Sequence, residues 1–166
     1  GFSEGYVRLS LVSPGDATAT ASAIRGSETL FRVGFVMDVV AFLSDVAVAV
    51  LFYVLLRPVG QVLAMMAGAF RLAQATILGL NMLNHLSAAF LLGGATYLVS
   101  LDPSELEALA LLSMEQHRYG YLIGQMFFGV HCLIAGVLIR KAWYFPTFLG
   151  ILIGVAGVGD LADGLM

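Results

Sequence analysis

The chain has 166 residues, 60% of them apolar and 11% charged, with a net charge of −3 and a mean hydropathy of +0.93, a composition outside that of soluble domains. No face is rich in Lys or Arg, which excludes a nucleic-acid surface, and the lone Cys132 excludes an internal disulfide framework. What remains is a chain built largely for the bilayer.

A spanning helix needs about 20 predominantly apolar residues, and four segments reach that length. Residues 1–29 read as an external segment with a short helix: Ser13-Pro14-Gly15-Asp16 is a turn, Asp16 caps the run Ala17 to Ile24, and Gly26-Ser27 ends it and opens the first span, 30–56. Arg57-Pro58-Val59-Gly60 turns the chain into a second span at about 62–98. Asp102-Pro103-Ser104-Glu105 combines a capping acid, a proline at the first helical position and an acid at the third. It predicts an external amphipathic helix over about 103–116, with Leu106, Leu109 and Leu112 or Met114 on its apolar side. That helix runs on into the third span, 119–139, and the turn from Arg140 to Tyr144 leads into the fourth, 145–166. The expected fold is all-α, a polytopic transmembrane helical bundle over 30–166. The ends look cut, and the chain reads as part of a longer polypeptide.

Positive charge in short loops marks the cytoplasmic side. The loops 57–60 and 140–145 hold Arg57, Arg140 and Lys141 and no acid, whereas 100–118 holds Asp102, Glu105, Glu107 and Glu115 against Arg118. In an inner (plasma) membrane, loops 57–60 and 140–145 are therefore expected on the cytoplasmic side, and residues 1–29 and 100–118 on the external side. Arg8, Arg25 and Arg32 in the N-terminal stretch oppose that bias.

Three ionisable residues sit deep in different spans, where a charge costs at least about 2.5 kcal/mol unless paired or hydrated. Asp45 precedes Arg57 by 12 residues, Arg71 follows Gly60 by 11, and His131 precedes Arg140 by 9. The helical rise puts all three about 14 to 18 Å from the cytoplasmic boundary. An Asp45 to Arg71 ion pair with His131 close by is the expected core of an intramembrane polar network. Gln74, Asn81, Asn84 and His85 continue along the second span, Asp38 lies one heptad before Asp45, and Gln125 and Asp160 fall at intermediate depth. This column reads as hydrogen-bonded glue between helices or as the wall of a cavity opening outward.

Bis-imidazole haem needs two histidines at equal depth on facing helices. His85 can match His117, but His131 is left without an imidazole, so no cofactor is predicted. No metal is predicted either, the acids and histidines lacking close ligand spacing. Cys132 is expected to pack as a small apolar residue. Gly120, Gly124 and Gly129 in the third span and Gly150 and Gly154 in the fourth carry the small-xxx-small spacing of close helix contacts, within the bundle or with a partner subunit.

The strings LSDVAVAVLFYVLLRPV, FRLAQATILGLNMLN, YGYLIGQMFFGVHCLIAGVLI and FPTFLGILIGVAGVGDLAD resemble the bacterial membrane proteins grouped as domain of unknown function family 4386. The resemblance covers nearly the whole chain. It implies a six-span protein, with one span before Gly1 and one after Met166, and it implies that Asp45, Arg71, Gln74, Asn81, Asn84, His117, Tyr119, His131 and Cys132 match the family's characteristic positions. Asp160 departs from the aromatic residue usual there.

Two classes of function follow. The preferred one is a non-catalytic accessory or structural subunit of a larger membrane complex, of respiratory or photosynthetic type for example, docking through its glycine faces to other subunits or to itself. The alternative is a protein that binds or transforms a small molecule in an outward-opening cavity built on Asp45, Arg71 and His131, with His131 or His117 carrying the proton.

Overall fold

The computed structural model describes residues 3–165, with the side chains of residues 6–96 and 98–165. Gly1, Phe2 and Met166, at the ends of the expected external segment and fourth span, lie outside the described residues. Every regular element among the described residues is helical: a π-helical turn Ser3–Arg8 running into α1 (Leu9–Leu11), then α2 (Ala17–Gly26), α3 (Glu28–Leu56), α4 (Gln61–Leu92), a 3-10 turn Thr96–Leu98, α5 (Pro103–Lys141) and α6 (Thr147–Leu165). Helices α3 to α6 are each long and apolar enough to cross a membrane.

The helix ends follow local chemistry. Asp16 Oδ1 accepts from the Ala19 amide at 2.8 Å, capping α2 as its position predicts. At α5 the Glu105 carboxylate reaches back to accept from the Asp102 amide at 3.0 Å, while Pro103 fills the first helical position, where no amide hydrogen is needed. Helix α4 stops at Leu92 rather than near Leu98, because Gly93 and Gly94 follow and Gly94 takes a φ of 69°, a left-handed conformation that ends helices.

The stretch 103–116 runs on into the third span, as expected. It is the first part of α5, which continues to Lys141 over 39 residues. Of the expected stripe of Leu106, Leu109 and Leu112 or Met114, Met114 is buried with Ala110, Ser113 and His117 and Leu106 is half-buried, whereas Leu109 and Leu112 are 40% and 51% exposed. The small Ala110 and Ser113 on this face let neighbouring backbones approach. The leucines line a surface groove with Phe90, Leu91 and Leu98.

Contacts divide the chain into two compact units, residues 3–41 with 79–119 and residues 42–78 with 120–165. The first unit is built around Val7, Leu11, Ile24, Phe31, Ala88, Ala110 and Met114. Through Val7 and Leu11 the N-terminal turn is part of this core. In the second unit Leu56, Ala64, Leu138 and Ile139 form the apolar centre, with Phe52, Tyr53 and Phe145 packed against it. Tyr144 donates its hydroxyl proton to the Leu55 carbonyl at 2.6 Å, fastening the α5–α6 turn to the end of α3.

The second unit also holds a glycine seam between α5 and α6. A Cβ added at Gly136 would come within 2.7 Å of the Gly150 carbonyl oxygen, one at Gly157 within 2.6 Å of the Gly129 oxygen, and one at Gly164 within 3.3 Å of the Leu122 oxygen. Each step of seven residues along α5 is matched by a step of seven in the opposite direction along α6, the register of antiparallel helices with a 3.5-residue repeat. Of the glycines singled out by four-residue spacing, Gly129 and Gly150 lie in this seam and Gly154 lends it only backbone. Gly124 faces Leu78 of α4 instead, and Gly120 is half-buried and precedes the seam's first pair. Four-residue spacing therefore missed Gly136, Gly157 and Gly164, which the seven-residue period marks.

Candidate intramembrane polar site

One stripe of α3 carries both acids. Phe31, Asp38, Ala49 and Leu56 are buried and Asp45 and Phe52 are half-buried, at steps of seven, four and three residues that keep to one helical face. Each acid then meets an arginine and a histidine within its own unit.

In the second unit, Arg71 of α4 donates from Nη2 to Asp45 Oδ1 at 2.5 Å. Its Nη1 lies 3.3 Å from His131 Nε2 of α5, and the other ring nitrogen, Nδ1, lies 2.9 Å from the Ala67 carbonyl oxygen of α4. A guanidinium only donates and a carbonyl only accepts. His131 is therefore the neutral Nδ1–H tautomer, accepting from Arg71 and donating to Ala67. Gln74 Nε2 donates to Asp45 Oδ2 at 3.4 Å. Phe128 closes the site: the Arg71 guanidinium sits 5.1 Å from its ring centroid, and the same ring stacks on His131.

The first unit repeats this arrangement with different residues. Arg8 Nη2 donates to Asp38 Oδ2 at 2.6 Å and lies 3.2 Å from His85 Nδ1, while His85 Nε2 lies 3.2 Å from the Phe31 carbonyl oxygen. The same donor logic makes His85 the neutral Nε2–H tautomer, the opposite one to His131. Its ring stacks on Phe31 with centroids 3.9 Å apart. Beside it, Asn81 Nδ2 donates to the His117 carbonyl at 2.7 Å and His117 Nδ1 donates to the Asn81 carbonyl at 3.1 Å, a reciprocal clip between α4 and α5. Asn84 donates to Asn81 Oδ1 at 3.0 Å.

The structure thus distributes the expected network over two Asp–Arg–His triads. Asp45, Arg71, Gln74 and His131 belong to one, and Asp38 and His85, flanked by Asn81, Asn84 and His117, to the other. Gln125 and Asp160 are half-buried and, among the described residues, join neither. Sequence reasoning missed Arg8, which it assigned to an external segment and which is 6% exposed. The available signal was Asp38, an acid deep in a span with no cation assigned to it. Cys132 is buried, packed where a Cβ on Gly157 would touch it. Among the described residues no three His, Cys, Asp or Glu side chains are grouped to hold a metal.

Four apolar helices of spanning length, tied within each unit by buried charge pairs, define an integral membrane protein of the multi-span α-helical class. The chain belongs to the family described as Domain of unknown function (DUF4386), whose model matches residues 1–166. It is 32% identical over 124 residues to an uncharacterized protein of Archaeoglobus fulgidus, a match covering 74% of this chain and 59% of that relative, so the chain spans about three fifths of the length of the curated relative it matches. No solved structure matches it.

Proposed function

We propose that this chain is the body of a non-catalytic membrane subunit, whose polar triads hold helices together and whose outer helices dock against other membrane segments. The observation that carries this reading is the commitment of the acid–base groups: Asp38 and Asp45 are ion-paired, and both ring nitrogens of His85 and His131 are engaged by protein atoms. A group that must exchange a proton with a substrate needs one position open to it. Haem ligation by His131 would require withdrawing it from Arg71 or Ala67. The described surface depressions, about 600 Å³ around Arg25 to Val33 and about 360 Å³ around Ser87, Phe90 and Leu109, include no member of either triad.

Docking is supported by the outer faces. In the most apolar 18-residue windows of α3 and α6 only 11% of residues are buried, against 33% in α4 and 44% in α5. We place the protein in the inner (plasma) membrane with loops 57–60 and 140–145 cytoplasmic. Arg8, withdrawn into an ion pair, no longer counts as loop charge against that orientation.

The test is purification of the full-length protein from its native membrane in mild detergent, with mass spectrometry and an absorption spectrum. Stoichiometric co-purifying membrane subunits support the reading. A lone protein carrying a small molecule or a haem spectrum overturns it.

A further inference from the structure

Two polar atoms of the second unit stand apart from the otherwise closed triad. Arg71 Nε and Gln74 Oε1 are buried and, among the described residues, have no hydrogen-bond partner, and Gln74 as a whole is 6% exposed. One is a donor and the other an acceptor. The amide orientation is fixed by Asp45, since turning Gln74 over would set its oxygen against a carboxylate oxygen that now accepts from its Nε2.

The two residues are neighbours. Arg71 and Gln74 lie one turn apart on α4, and their heads grip the two oxygens of the same carboxylate, Arg71 at Oδ1 and Gln74 at Oδ2. The Nε–H shares a guanidinium edge with Nη2, the donor to Asp45 Oδ1. Leaving such a pair unmet in a membrane interior is costly, because each orphaned group forfeits its solvation.

We propose that Arg71 Nε–H and Gln74 Oε1 form a binding site for one hydroxyl group, which accepts from the guanidinium and donates to the amide oxygen. The chemistry selects this class. A carbonyl or ether oxygen leaves Gln74 Oε1 unmet, and an ammonium leaves Arg71 Nε–H unmet. An anion meets an arginine already neutralised by Asp45 and faces the Gln74 oxygen. A hydroxyl meets both atoms with one oxygen, whether it comes from water or from the end of an organic alcohol.

The experiment uses the full-length protein in lipid nanodiscs, wild type beside Gln74→Met, with Thr76→Val as an exposed control on the same helix. Infrared difference spectra are recorded in H2(16)O and H2(18)O, and native mass spectra are taken in parallel. Bound water gives an O–H stretching band that moves with the oxygen isotope in wild type and is lost in Gln74→Met. An organic hydroxyl gives a mass adduct lost in Gln74→Met, with a band indifferent to the isotope. In either case Gln74→Met lowers the melting temperature by several degrees, because it strands Arg71 Nε. If wild type shows neither band nor adduct, or if Gln74→Met melts at or above wild type because an orphan has simply been removed, the site does not exist. The wild-type spectra decide the matter even if the variant fails to fold.

Discussion

Replacing Arg71 by methionine isolates what the second triad contributes, because the apolar stem is largely kept while the charge is lost. Among the described residues Asp45 then retains only the 3.4 Å bond from Gln74, and His131 Nε2 loses its donor. Removing one partner of a buried ion pair costs about 3 to 5 kcal/mol. The side chains are 13% and 20% exposed, which argues for the lower end, about 3 kcal/mol. Taking the partner away as well, in Asp45→Leu with Arg71→Met, removes the stranded charge and should recover all but about 1 kcal/mol. The measurement is reversible unfolding in mixed detergent micelles followed by circular dichroism. A single variant within about 0.5 kcal/mol of wild type, or a double variant less stable than the single, would refute the claim that the ion pair holds the unit.

Arg8→Met should cost about as much as Arg71→Met, since Arg8 and Asp38 are buried deeper still, whereas Arg32→Met should cost less than about 1 kcal/mol because its pair with Glu28 is exposed; equal unfolding midpoints for the two variants would contradict the burial argument. Gly157→Ala should destabilise by about 1 to 3 kcal/mol through collision with the Gly129 backbone, while Gly154→Ala, with open space at its Cβ, should be neutral or slightly stabilising; unfolding midpoints read the difference directly. On a Cys132→Ala background, a membrane-impermeant maleimide applied to intact cells should label Ser104→Cys and should reach Trp143→Cys only after permeabilisation. The reverse pattern would invert the proposed orientation.

What the sequence made legible follows from geometry that is linear in residue number. Depth along a helix is a count multiplied by a rise, so Asp45, Arg71 and His131 could be matched before any packing was known, and in the structure they are in contact. Arg8 could not be reached that way, because the turn carrying it has no long apolar run to measure depth along. The end of α4 depended on one φ angle at Gly94, and the inward side of α5 in part on small residues that let backbones close up. The two histidines illustrate a further limit: both are locked neutral, in opposite tautomers, by which carbonyl lies beside each ring, and sequence holds no record of that.

The unequal placement of the two arginines along the chain bears on how the protein is made. Arg8 leaves the ribosome 30 residues ahead of Asp38, so the first acid enters the membrane with its counter-charge already synthesised. Asp45 has no such advantage, since Arg71 follows it by 26 residues and belongs to the next helix. A charged Asp45 at mid-membrane is unfavourable on its own. The charge of Asp45 is therefore met only once α4 lies beside α3, whereas that of Asp38 is met by a residue that precedes it.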